Sequence, residues 1–422
     1  MPGAWYHSSW HGLLAFVFYY PLFMSFLWML GAVVYHLRME RKETPPCPED
    51  LQPLSVLIPC YNEGPHVEET LRYALALDYP EFEVVAINDG SRDETGATLD
   101  RLAQDHPRLR VVHLARNQGK AMALHTGALL ARNDLLLCID GDALLEADCG
   151  RWIARHFRDE EVAAVTGNPR IRNRSTLLGR VQVGEFSSIV GLIKRAQRVF
   201  GRLYTVSGVI TAFRRSAVFQ AGSWSPDALT EDIDITWKLQ RAGWDVRFEP
   251  RALVWILMPE TLRGLWKQRL RWAMGGAQVL VRNADVMVRP SQNHLWPLFL
   301  EQVLTLVWVY AFLATVMLWL LQGPLDLHLP FQRSPLMPGG SSVLIGATCL
   351  LQFAVSKWLD SRYDKGLGRN YYWMIWYPAF FWLLTVGTAV VAFPMVLVRG
   401  RGRRARWESP DRGVNLHSRG AP

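Results

Sequence analysis

Four stretches free of charged residues, Leu13 to Tyr35, Gln302 to Leu325, Pro335 to Ser356 and Tyr371 to Val398, decide most of what this chain can become. Each reaches or exceeds the roughly 20 apolar residues that cross a bilayer core. A water-soluble fold would have to bury all four, and uncharged runs of this length are foreign to soluble domains. Between the first and the second lies ordinary globular composition. The chain therefore divides into an amino-terminal membrane segment with its linker (1–49), a soluble domain (50–258), an interfacial amphipathic stretch (259–293), a carboxy-terminal membrane bundle (294–398) and a basic tail (399–422).

The first stretch does not read as a secretory signal. No Lys or Arg precedes it, no small-residue cleavage site follows, and the run exceeds a signal core. Arg38, Arg41 and Lys42 come directly after it, which predicts a cytoplasmic soluble domain by the positive-inside rule. The five cysteines show no paired or metal-type spacing and suit a reducing compartment. A net charge of +8 would allow a nucleic-acid partner, but much of the excess is Arg399, Arg401, Arg403, Arg404 and Arg406 in the tail. Beside a membrane span such a cluster faces lipid or sets topology, so no nucleic acid is expected. If all three later stretches span once, this tail ends outside, against the charge rule. The last stretch is long and holds Pro378 and Pro394; an interfacial piece followed by a span would return the tail to the cytoplasm.

Within the soluble part, apolar runs at Leu54–Pro59, Val84–Asn88, Leu109–Leu114 and Leu135–Asp140 have strand length. Amphipathic stretches such as Val67–Leu77 and Thr95–Gln104 separate them. This alternation predicts an α/β domain, a parallel sheet covered by helices. Ligands gather beyond the carboxyl ends of such strands. Polar clusters fall there: Tyr61-Asn62-Glu63, Asn88-Asp89-Gly90-Ser91 and Asp140-Gly141-Asp142.

Five clusters can carry chemistry. Asp140 and Asp142, one residue apart at a strand end, suit a hard divalent cation that also binds substrate phosphates, though the same triplet often makes a plain turn. Asp89 can accept from a nucleobase imide, or simply build an Asx turn. Lys120 opens a predicted helix where a cation and helix amides can meet phosphate. In Thr230-Glu231-Asp232, Asp232 is the candidate base for an acceptor hydroxyl, while Glu231 and Asp234 read as helix-start residues. Gln268, Arg271 and Trp272 sit in a basic, Trp-rich amphipathic stretch from Thr261 to Val281 of the kind that lies on membranes. Arg271 can hold diphosphate oxygens, and Trp272 offers a flat face to a sugar ring.

These five clusters, in this order, resemble the family-2 glycosyltransferases, including cellulose, chitin and hyaluronan synthases. The resemblance implies a GT-A-type (Rossmann-like) domain inserted between transmembrane helices. It implies that Asp89 binds uridine, Asp140 and Asp142 hold diphosphate and metal (with Asp142 the metal ligand), Asp232 is the base, and Gln268, Arg271 and Trp272 engage donor and acceptor. The strings VTGNPRIRNRSTL, VSGVITAFRRSA, LTEDIDITWKLQ and WILMPETLRGLWKQRLRWAMGGA are similar to the bacterial branch that makes β-1,6-linked poly-N-acetylglucosamine, a biofilm exopolysaccharide. That likeness implies UDP-GlcNAc as donor, Mg2+ (or Mn2+) as metal, and a growing polysaccharide held near Ser207 and Gly208. It also implies a multi-pass protein of the bacterial inner membrane, a small membrane partner subunit, and control by cyclic di-GMP through that complex. Lipid-facing or channel roles fall to Trp308, Tyr310, Trp376 and Trp382, and the tail residues Arg404, Arg406, Trp407 and Arg412 can close over nucleotide or bind lipid. Asn88 departs from the first Asp that many members carry, and one amino-terminal span is visible where members often show two.

Other readings keep the fold and change the product: a hyaluronan-, chitin- or cellulose-type synthase, or a non-processive transferase acting on a lipid-linked sugar. Gln-x-x-Arg-Trp favours processivity. A non-catalytic transporter subunit or nucleotide-binding regulator would have no need of Asp140, Asp142, Asp232 and Arg271 together.

Overall fold

The computed structural model describes residues 3–41, 50–324, 340–365, 367–374 and 377–399. Trp376 and the tail arginines from Arg401 onward, with Trp407, lie outside the described residues. Eight strands form one sheet: β1 Leu54–Cys60, β2 Phe82–Asn88, β3 Leu109–His113, β4 Leu135–Ile139, β5 Leu144–Leu145, β6 Val162–Ile171, β7 Ile210–Arg214 and β8 Asp245–Ile256. Their spatial order is β3-β2-β1-β4-β7-β6-β8-β5. The helices are α1 Gly3–Tyr35, α2 Gly64–Leu75, α3 Thr95–Asp105, α4 Lys120–Leu130, α5 Cys149–Ala154, α6 Leu177–Phe186, α7 Lys194–Val199, α8 Arg215–Gln220, α9 Glu231–Arg241, α10 Leu262–Arg282, α11 Trp296–Leu321, α12 Gly340–Asp360 and α13 Tyr377–Val398.

Strands β1, β2 and β4 are buried along their whole length, which is why they read as unbroken apolar runs. Alternation still sorts their side chains. Val56, Ile58, Val84 and Ala86 enter one layer with Val67, Leu71 and Leu99, while Leu57, Val85 and Ile87 enter the other with Ala123, Leu124 and Ala128. Each fully buried aliphatic side chain contributes roughly 1.5–3 kcal/mol, enough in sum to fix the register.

The sheet is parallel through β3-β2-β1-β4 and mixed beyond it. β7 runs antiparallel to both β4 and β6, and β6 pairs in parallel with β8 across two irregularities. The parallel sheet expected from the four apolar runs is found in β1 to β4, and the antiparallel pairs are made by strands outside those runs. A strand covered on both faces shows the same apolar run whichever way it points, so direction is invisible locally.

Among the described residues, three helical spans are long and apolar enough to cross a membrane: His11–Glu40, Pro290–Leu321 and Val343–Asp360. A fourth apolar helix, α13, follows a short 3-10 run, Leu367–Met374. The soluble domain is clamped to these helices by buried ions. Arg195 on α7 is fully buried and reaches Glu40 at 2.5 Å and Asp360 at 2.8 Å. Asp360 also accepts from Arg170 of β6 at 2.8 Å, and from Ser187. Glu40 closes a π-helical turn, His36–Glu40, that continues α1, and Ser187 opens a second, Ser187–Ile193, before α7.

Candidate active site

The polar strand ends expected from the sequence converge. Beyond β2, Asn88 donates to His113 Nδ1 at 3.0 Å and accepts from Ser91 N at 3.0 Å, so it shapes its own turn. Asp89 is fully buried, and its two carboxylate oxygens accept from the amides of Gln118 and Gly119, each at 2.8 Å. Burial pushes its carboxyl up and these two hydrogen bonds oppose the shift. In this structure Asp89 fixes the loop that leads into α4.

That loop delivers Lys120. A lysine at a helix amino terminus opposes the helix dipole by up to about 1 kcal/mol. Here three acceptors outweigh that cost: Asp140 Oδ1 at 2.5 Å, Glu231 Oε1 at 2.8 Å and the Gly208 carbonyl at 3.0 Å. Hydrogen bonds to charged groups contribute about 1.5–3 kcal/mol each. Burial disfavours the ammonium, but Asp140 and Glu231 hold its pKa above the ordinary lysine value. With two carboxylates and a carbonyl around its ammonium, Lys120 ties the ends of β4 and α9 to the segment before β7. Asp140 is pushed up by burial, is drawn down by Lys120 and feels Asp142 beside it.

Asp232 stands in the first turn of α9, with Oδ1 accepting from Ile233 N at 2.9 Å and Oδ2 from Gly208 N at 3.3 Å. Gly208 is closely surrounded by these charged groups. A Cβ there would lie 3.1 Å from Lys120 Nζ, 3.2 Å from Asp232 Oδ2 and 3.3 Å from Glu231 Oε1. Burial first, and the Glu231 charge second, raise the Asp232 carboxyl to about 6, while Lys120 and Arg271 pull the other way. A carboxylate so placed gains proton affinity and still ionises near neutral pH.

Helix α10 brings the remaining groups. Gln268, Arg271, Trp272 and Gly275 recur at helical spacing and share one face. Gly275 is pressed onto the start of α9: a Cβ there would sit 2.0 Å from Thr230 Oγ1. Gln278 and Arg282 fix the register, the first accepting from Leu229 N at 2.9 Å and the second reaching Asp227 at 2.6 Å and Asp234 at 3.1 Å. One turn before Gly275, exposed Arg271 is close enough for its charge to act on Glu231 and Asp232. Trp272 is half-buried against Phe186 and under the Arg269 guanidinium, 4.2 Å from its ring centre. Gln268 lies beside the Met258 sulfur at 3.9 Å. Trp266 on the same helix would lie 3.3 Å from a Cβ on Gly387, so α10 packs between the soluble domain and α13.

The expected residues thus gather in one cleft: Asp140, Asp142, Lys120, Gly208, Asp232 and Arg271. Ser207 adjoins them through Gly208. Asp89 and Gln268 stand behind, bonded to protein. Sequence reasoning missed two participants. Glu231, read as a helix-start residue, is a full partner of Lys120. Lys194, buried beside Ser207, belongs to none of the motifs that the sequence offers. Only the apolar IVGLI before it hinted at burial.

The donor set fits a hard divalent cation. Among the described residues no group of three or more His, Cys, Asp or Glu is arranged to enclose a metal. Half-buried Asp142, two residues from Asp140, is what a cation needs when substrate phosphates and water supply its other ligands.

A sequence model of the Glycosyltransferase like family 2 matches residues 52–275, and the chain belongs to that family. The protein is a glycosyltransferase with a GT-A-like domain and apolar helices suited to a membrane. Two relatives, named poly-beta-1,6-N-acetyl-D-glucosamine synthase, come from Staphylococcus epidermidis and Staphylococcus aureus. They are 37% and 38% identical over 404 residues, 94% of this chain and 98% of each relative. Among solved structures, a mannosyltransferase from Pyrobaculum calidifontis in complex with GDP-Man and Mn2+ is similar at a TM-score of 0.66 and 20% identity, over 92% of this chain and 97% of that one. At that identity the likeness speaks for the fold.

Proposed function

We propose that this glycosyltransferase is a processive, inverting synthase that polymerises N-acetylglucosamine from UDP-GlcNAc into a β-1,6-linked chain at the cytoplasmic face of the bacterial inner membrane. The observation that carries the chemistry is the Asp232 carboxylate, raised to about 6 and facing the Ser207-Gly208 segment beside Lys120 and Arg271. Asp232 takes the proton of the acceptor's 6-hydroxyl as that oxygen bonds to the anomeric carbon. The bond from that carbon to the β-phosphate oxygen breaks on the opposite face, so the α-linked donor gives a β-linked product. Negative charge gathers on departing UDP, and Arg271 meets it. A divalent cation held by Asp142, Mg2+ or Mn2+, would supply further charge neutralisation there. Asp89 serves the nucleotide through the loop it fixes. Trp272 faces the sugar, and α11, α12 and α13 carry the product across the bilayer. A small membrane partner subunit and cyclic di-GMP acting through it belong to the same reading, on the family resemblance.

The test is chemical. Full-length protein in lipid nanodiscs is given radiolabelled UDP-GlcNAc with Mg2+ or Mn2+, and the polymer is digested with linkage-specific glycosidases. Cleavage by a β-1,6-specific enzyme is the expected result. A polymer cut only by β-1,4- or β-1,3-specific enzymes, or transfer of a single sugar, would refute the product assigned here.

A further inference from the structure

Two consecutive residues of α7 point to opposite tasks. Arg195 faces the membrane helices and is locked by Glu40 and Asp360. Lys194 faces the cleft: it is 5% exposed, and its ammonium donates to Ser207 Oγ at 2.8 Å. Among the described residues no carboxylate lies within ion-pair distance of it. An ammonium removed from water without a paired carboxylate is costly, and such groups gather at functional sites. Its position is not adventitious slack. Gly31 of α1 approaches α7 so closely that a Cβ there would lie 2.8 Å from Ala196 Cβ, and Gln197 accepts from Tyr204 N at 3.0 Å.

We infer that Lys194 is a positioning residue of the transfer reaction. It holds Ser207 Oγ so that the adjoining Gly208 amide stays aimed at Asp232 Oδ2, and its charge favours the ionised, proton-accepting form of that carboxylate. This inference rests on the reading of Asp232 as the base. The helix that carries Lys194 is itself anchored to α1 and α12 through Arg195, so the membrane helices set the geometry of the acceptor side. Burial lowers the Lys194 ammonium to about 7, and the Asp232 charge opposes that shift. The other groups facing Asp232 are Glu231 on its own helix, Lys120 of α4, Arg271 of α10 and Tyr204 before β7. Lys120 is saturated by Asp140, Glu231 and the Gly208 carbonyl, which leaves Lys194 as the buried cation not neutralised by a carboxylate of its own.

The experiment is the pH profile of polymer synthesis by full-length protein in nanodiscs, for wild type, Lys194→Met, Lys194→Arg and Ser207→Ala, each checked for thermal melting and UDP binding. For Lys194→Met the acid limb should move up by about one pH unit. The maximal rate at pH 7 should fall about tenfold, with the KM for UDP-GlcNAc within about twofold of wild type. Lys194→Arg should bring the limb back. An unmoved limb in Lys194→Met, or a limb displaced equally in Lys194→Arg, overturns the inference. Should Lys194→Met fail to fold, Ser207→Ala decides: a limb raised by a smaller amount supports the inference and an unmoved one overturns it. Failure of the base reading looks different, because Asp232→Asn would then still polymerise or wild type would show no acid limb.

Discussion

Two buried ionic clusters among the described residues are built to opposite ends. At the junction with the membrane helices, buried Arg170 and Arg195 face Glu40 and Asp360, exposed Arg362 lies 3.8 Å from Glu40 at the edge, and Asp360 and Arg195 are fully shielded from water. In the cleft, Asp140, Asp142, Glu231 and Asp232 outnumber the cations, Arg271 is exposed, and Asp232 is raised to about 6. A matched cluster has one low-energy state and serves as a clamp. A mismatched one keeps a carboxylate poised to change its proton and leaves room for a phosphate-bound cation. Removal of a group should therefore cost stability at the junction and rate in the cleft.

The largest effect is expected at the junction. Asp360→Ala leaves the buried Arg170 guanidinium without its carboxylate and Arg195 with Glu40 alone, and breaking such a buried pair costs about 3–5 kcal/mol. Its thermal melt should fall sharply, while protein that remains folded still binds UDP-GlcNAc; an unchanged melt would erase the distinction between the clusters. Arg271→Ala should do the reverse. Its melt should stay at the wild-type value and polymer synthesis should drop about 10²–10³-fold, because a donor to the developing negative charge is lost. Wild-type activity should depend on pH with the sign set by Asp232. The base works ionised and its carboxyl is raised to about 6, so the rate is level above that pH and falls about tenfold per unit below it. A flat profile down to pH 5 would contradict the assignment. The smallest effect belongs to an exposed pair, Arg101 and Glu68 at 2.7 Å, where Arg101→Ala should change stability by less than about 1 kcal/mol. A larger loss would mean that burial is not what separates strong ionic contacts from weak ones here.

The same contrast explains how far the sequence could be read. Strands β1, β2 and β4 were legible because burial on both faces writes them as apolar runs, and their carboxyl ends located the polar clusters. β8 was not, because Asp245, Arg247, Glu249 and Arg251 interrupt its pattern and are satisfied by one another along the strand and by partners distant in the chain, such as Arg198, Asp159 and His156. Asp140, Asp142, Asp232 and Arg271 were legible from residue type and spacing. The dual task of α7 was not, since KRAQR reads as a solvated helix until its two flanks are seen to be occupied. Asp89 shows the opposite limit. A motif gave its place at the strand end, but not that its oxygens accept from the 118 and 119 amides.

The most direct measurement compares wild type and Asp232→Asn, in nanodiscs, for UDP-GlcNAc binding and polymer formed. Binding should stay within a few-fold of wild type and synthesis should fall by at least about 10²-fold, the contribution of a positioned general base. Polymer formed by Asp232→Asn at the wild-type rate, with donor binding intact, would contradict the role of Asp232 as the base.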